Sequence, residues 1–195
     1  MKTRNGFVSN SSSSSFIVGF DTIPKTVEEL KKLLFKNDKI LSAYDIELDT
    51  QKAADIIFDD IKNQKLATKK RLFDVIRAGE LADYPETESN HPVYKLMDEF
   101  CKKYPKQHWG TPGEIENKDT RKFAQKIWDM QHAKWKAENK SRDVAAMKYV
   151  NETVLPKLKD KKVFIFEYED HDPVGNVLEH GNVFNRVVHF HISMH

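Results

Sequence analysis

Hydrophobic and polar residues alternate with two different periods along this chain. Phe16-Ile17-Val18-Gly19-Phe20 is an aromatic and β-branched run closed by Asp21-Thr22-Ile23-Pro24, and Ser15 to Phe20 is therefore predicted as a short buried strand. Helical spacing takes over at once. Val27, Leu30, Leu33 and Leu34 share one stripe, and Thr26 with Glu29 forms a capping box ahead of it. A second helix is predicted from Thr50 to about Gln64 on Ala53, Ala54, Ile57, Phe58 and Ile61, and a third from Thr68 to Ala78, ended by Gly79. Beyond a polar connector at 84–90, Val93, Leu96, Met97 and Phe100 mark another helix. After the break at 105–113, residues from Asp119 to about Asn139 are strongly helical, and Ser141 is placed to cap a further helix carrying Val144, Ala145, Met147 and Val150.

The chain ends on period two. Residues from Val163 to Glu169 and from Arg186 to Ser193 read as strands joined by a loop containing Gly175 and Gly181. Together with the first strand they give a small, largely antiparallel sheet built from the N- and C-terminal strands and covered on one face by the intervening helices. The predicted class is α+β: a mostly helical single domain from 16 to 195 behind a Ser-rich arm, 1–15.

Composition supports a folded chain. At 195 residues with 39% hydrophobic and 32% charged residues, it is able to bury roughly 70% of its extended surface and lies far from the composition of disorder. The lone cysteine, Cys101, has no intramolecular partner and reads as a half-buried structural thiol in a reducing compartment. No segment reaches the roughly 20 apolar residues of a membrane span, and the apolar run behind the serines is too short for a secretion signal. A cytoplasmic protein that does not engage membrane is expected.

The N-terminal residues are the most distinctive. Arg4-Asn5-Gly6-Phe7-Val8-Ser9-Asn10 is followed by five serines, Ser11 to Ser15, and then Phe16. This opening resembles that of a group of small bacterial and bacteriophage proteins sharing an Arg-x-Gly-Phe-Val-Ser-Asn signature, a serine run and a Phe, for which no activity is known. The resemblance implies that something reads the segment. Arg4, Gly6, Phe7, Ser11, Ser12 and Ser13 are accordingly the candidate partner-binding residues, with a host or virion protein as the partner. A solvated, flexible arm is the plain alternative.

Chemistry concentrates at the other end, where five of the eight histidines fall: His171, His180, His189, His191 and His195. On a strand, His189, His191 and Ser193 share a face opposite Val188, Phe190 and Ile192. Residues two apart are about 6.6 Å from each other, so two imidazoles can reach one ion at about 2.1 Å. His180 beside Gly181 is the natural third ligand and Glu179 a ligand or general base, with Glu167 and Glu169 as further carboxylates. Zinc or another divalent metal is the implied cofactor. A polar, solvated sheet face is the competing account, because neither motif is specific.

Overall charge is only +2, which disfavours generic polyanion binding. Between Thr120 and Lys162, however, twelve Lys and Arg stand against five acids. That basic stretch keeps nucleic acid open as a disfavoured partner, while the spacing of Trp128 and Trp135 reads as core beneath a lysine face. Two functions follow. One is a bacterial or bacteriophage accessory protein that binds a host or virion partner; the alternative is a divalent-metal-dependent hydrolase acting on a phosphoester.

Overall fold

A computed structural model describes residues 13–79, 90–169 and 173–193. Arg4, Gly6, Phe7, Ser11 and Ser12, and also His171 and His195, lie outside them. The fold is α+β and mostly helical. Its order is β1 (Ser13–Phe20), α1 (Val27–Phe35), β2 (Ile40–Ala43), β3 (Ile46–Asp49), α2 (Thr50–Asn63), α3 (Lys69–Ala78), α4 (Pro92–Lys103), α5 (Lys118–Tyr149), α6 (Leu155–Lys157), β4 (Lys162–Glu169), α7 (Pro173–His180) and β5 (Val188–Ser193). The chain gathers into two compact units: Met1–Ala82 with Ala146–His195, and Asp83–Ala145. No helix among the described residues is long and apolar enough to cross a membrane.

In the first unit the two chain ends meet. β1 is the middle strand of a three-stranded sheet, antiparallel to β4 on one side and β5 on the other. Phe16 stands opposite Phe166 and His191, and Ser14 opposite Tyr168 and Ser193, so these residues share a face. That face carries Phe16, Val18, Phe20, Phe164, Phe166 and Tyr168 into a core completed by α1, α2, the β2–β3 hairpin and α7. The opposite face sends Ile17, Ile165, Phe190 and Ile192 into a second core with α3 and the segment around Val150 and Val154. Both faces are thus covered, not one, because β1 is apolar at nearly every position and a one-sided layer would leave Ile17 in water. Each such side chain contributes about 1.5–3 kcal/mol on burial.

Local chemistry sets the boundaries. The Thr26 hydroxyl accepts from the Glu29 amide at 3.1 Å while the Glu29 carboxylate accepts from the Lys25 amide at 2.7 Å. Thr68 caps α3 through the Arg71 amide at 3.2 Å, and Gly79 ends that helix where a Cβ would stand 2.1 Å from the Ile192 side chain.

Four elements depart from the sequence pattern. Ser141 does not start a new helix: α5 runs through it, since nothing from Lys118 to Tyr149 is Gly or Pro. The helix then widens into a π turn at Val150–Val154, where the Leu155 amide bonds to the Val150 carbonyl. Pro156 follows immediately, and its ring cannot share a regular turn with the carbonyl four residues earlier. The segment between the last strands is the helix α7, with Val177 and Leu178 buried, rather than a glycine loop. Gly181 follows it because a Cβ there would meet the Val177 carbonyl oxygen at 2.4 Å. The four-residue strands β2 and β3 carry too short a pattern to register.

In the second unit, Val93, Phe100, Ile115, Ala124 and Ile127 form a smaller core, packed by Met97, Tyr104 and Phe123. The His91 ring accepts from the Val93 amide at 3.2 Å and Pro92 opens α4.

Candidate functional site

The predicted C-terminal site is only partly assembled. α7 lies on the same side of the sheet as Ser14, and its last turn brings Glu179 over β1. The Ser14 hydroxyl donates to Glu179 Oε1 at 2.8 Å and lies 2.8 Å from His191 Nε2. The assignment that serves all three has the serine accepting from His191 Nε2–H. His191 also stacks face to face on Phe16, with ring centres 4.7 Å apart and planes 6° from parallel. Glu179 and His191 are therefore brought together, but through Ser14, a residue the sequence does not single out. The available signal is alternation, which puts Ser14 on the face of Phe16 and Val18. Ser14 is 3% exposed, so its hydroxyl ties strand to helix rather than meeting a substrate.

The other predicted ligands have different surroundings. His180 Nε2 is 3.8 Å from Glu179 Oε2, and the His180 ring meets Tyr44 edge-on at 5.3 Å. His189 Nδ1 is 3.1 Å from the Val187 carbonyl oxygen. Glu167 and Glu169 fall on the opposite face of β4 from the one that His189 and His191 share across the sheet, because Glu167 registers with Ser15 and Phe166 with Phe16. Glu167 pairs there with Arg71 at 2.5 Å. Among the described residues no three His, Cys, Asp or Glu side chains are grouped to hold a metal ion. Glu179 Oε2 is buried without a hydrogen-bond partner. Ser13 begins β1 opposite Glu169, so the last three serines belong to the sheet and not to an arm.

A cleft of about 500 Å³ lies on the first unit beside Asp60, Asn63, Arg71 and Glu167. Tyr168 donates to Asp60 Oδ2 at 3.1 Å. Burial raises the Asp60 pKa against the lowering effect of that hydrogen bond, with Asp59 adding to the rise. Burial, then the neighbouring Asp60 charge, pushes the phenol of Tyr168 well up, which keeps it a donor. Cys101 is exposed, not half-buried.

A cavity with an aromatic lining lies wholly within the second unit. It measures about 370 Å³ and is walled by Tyr94, Trp109, Trp128, His132 and Trp135. Trp128, His132 and Trp135 occupy positions i, i+4 and i+7 of α5 and so share a face. Trp128 and His132 stack at 4.9 Å with planes 6° apart, and His132 and Trp135 at 5.6 Å. These tryptophans are not core: Trp128 is 40% and Trp135 58% exposed. Ala124, four residues before Trp128, lies on the same stripe and is buried with Ile127 in the small core, so helical spacing identifies the face but not how far along the helix it stays covered.

The polar lining is balanced. Lys134 pairs with Glu138, a hydrogen bond that raises its pKa, and its ammonium sits 5.4 Å from the centre of the Tyr94 ring. Gln131 Oε1 is buried without a partner. The indole N–H groups of Trp109, Trp128 and Trp135 make no hydrogen bond among the described residues. No family model, no curated protein and no solved structure matches the chain.

Proposed function

We propose that this chain is a bacterial or bacteriophage accessory protein that works by capturing a host or virion partner, and that the aromatic cavity of the second unit is where it does so. The carrying observation is the wall of Trp128, His132 and Trp135, stacked on one another yet open to solvent. Large rigid aromatic planes with an N–H at the rim provide contact area at little cost in side-chain entropy, which is why they dominate binding hot spots. The N-terminal signature supports the same reading as a second point of attachment. Affinity capture from host lysate and from virions tests both parts. Trp128→Ala with Trp135→Ala is expected to abolish recovery of a defined partner that the parent chain retains. Deletion of 1–10, which stops short of β1, measures what Arg4, Gly6 and Phe7 add. Retention by both variants would overturn the proposal.

One observation favours the alternative, a divalent-metal-dependent hydrolase acting on a phosphoester. Glu179 Oε2 is buried, has no hydrogen-bond partner and lies 3.8 Å from His180 Nε2, a carboxylate and imidazole pair of the kind zinc recruits. Stoichiometric zinc or manganese in untagged protein, lost in His180→Ala and in His191→Ala, supports it; metal-free protein that gains no thermal stability from added zinc or manganese refutes it.

A further inference from the structure

Resting on that binding reading, we infer that the aromatic cavity recognises a neutral glycan, one pyranose unit stacked on the Trp128–His132–Trp135 wall. Three properties of the lining select this class. The first is shape. A cavity of about 370 Å³ is at the small end of ligand sites, and its walls are flat rings that match the apolar C–H face of a sugar better than a branched aliphatic side chain.

The second property is the mixture of hydrogen-bonding groups. The indole N–H groups of the lining tryptophans have no acceptor among the described residues, while Gln131 Oε1 is a buried acceptor without a donor. A buried polar atom without a partner costs about 1–3 kcal/mol, so a ligand that satisfies it gains by doing so. Sugar hydroxyls both donate and accept around the edge of an apolar ring and meet both demands at once. A proline-rich peptide also docks on exposed aromatics, but its prolines bring carbonyl acceptors and no N–H for Gln131.

The third is charge. Among the described lining residues one Lys, Lys134, is matched by one Glu, Glu138, and the two are paired. Bases would stack on this wall, yet each arrives with a phosphate, for which the described lining residues offer no unpaired Lys or Arg and which Glu138 repels. A quaternary ammonium suits aromatic cages in general, but the Lys134 ammonium already lies against the Tyr94 ring and disfavours a second cation. A neutral ligand remains.

All three tryptophans of the chain, Trp109, Trp128 and Trp135, line this cavity, so intrinsic fluorescence reports on it alone. The test titrates the full-length chain with four neutral hexasaccharides, those of α-1,4-glucose, β-1,4-glucose, β-1,4-mannose and β-1,4-N-acetylglucosamine. A ten-residue polyproline and a ten-nucleotide oligothymidine serve as rival probes. Saturable quenching by at least one hexasaccharide is expected, with affinity reduced at least tenfold in Trp135→Phe and Gln131→Leu variants whose circular dichroism and melting are unchanged. Gln131→Glu, which keeps an acceptor, is expected to lose less. Binding of polyproline or oligothymidine but of no sugar overturns the glycan class and leaves the binding site standing. No saturable change with any of the six overturns the glycan class and the cavity as a binding site together.

Discussion

Both units pack aromatic rings in their cores, but only the second also leaves a wall of stacked rings open to solvent. In the first, Phe16, Phe20, Phe164, Phe166 and Phe184 are all buried and pack ring to ring, with Phe16 to Phe184 at 5.3 Å and Phe166 to Phe184 at 4.9 Å. In the second, Phe100 is the one fully buried ring of the core, packed against Tyr104 at 5.1 Å and Phe123 at 5.5 Å, and the indoles of Trp128 and Trp135 stand 40% and 58% exposed. Stacking geometry is similar in both places, so geometry alone does not separate structure from function. What separates them is exposure together with unmet hydrogen-bonding capacity. Rings that hold a fold are enclosed by other apolar groups, whereas the rings of the α5 wall are exposed and line a cavity that also holds the unpartnered Gln131 Oε1.

That contrast can be broken most sharply by substitution. Ile17, at 0% exposure on the middle strand, is expected to cost about 3 kcal/mol when replaced by Ala, from lost transfer energy and the cavity left behind; equilibrium denaturation reads this directly. Trp135→Ala should change stability by less than about 0.5 kcal/mol, and a larger loss would mean that the wall is core after all. Next in size is the tie between strand and helix. Ser14→Ala strips Glu179 Oε1 and His191 Nε2 of a common partner at 2.8 Å each and is expected to cost about 1–3 kcal/mol.

Glycines give a smaller contrast. Gly79→Ala drives a methyl against Ile192 and the Ser193 carbonyl and should cost about 1–3 kcal/mol by overpacking, while Gly113→Ala in the second unit meets nothing within 4 Å and should be near neutral. The smallest effect is a pH dependence. The Asp60 pKa is raised from 3.8 on folding, so the folded state holds that proton more tightly; the stability this provides is present below 3.8 and falls away as pH climbs through the raised value. Asp60→Asn should therefore melt higher relative to the parent chain at pH 7 than at pH 3.5. A constant difference across that range would contradict the assignment.

Much of the fold is legible in the sequence. The helix at 50–63, the Thr68 cap with its Gly79 stop, and the joining of both chain ends in one antiparallel sheet follow from period and capping residues. What the sequence withholds depends on direction and distance. The alternation of His189, His191 and Ser193 is real, but it does not reveal that Glu167 registers to the other face, because register depends on where Ser15 falls on the neighbouring strand. Gly175 reads as a turn residue, yet Val177 and Leu178 gain more by burial in a helix than a loop would give. At the candidate site, spacing groups Trp128 with Trp135 correctly and then assigns them to the wrong environment. The contributions of Tyr94 and Trp109 require a fold to bring them near.

The position of β1 has a consequence for synthesis. Ser14 meets His191 across 177 positions of chain, and β1 is the strand to which both others bond. During synthesis β1, one of the most apolar segments, thus has no partner on either edge until β4, and then β5, far along the chain, have been made. Such delayed long-range pairing slows folding and favours association with other chains in the interval. The polar Ser13, Ser14 and Ser15 that open that strand help keep it in solution while it waits.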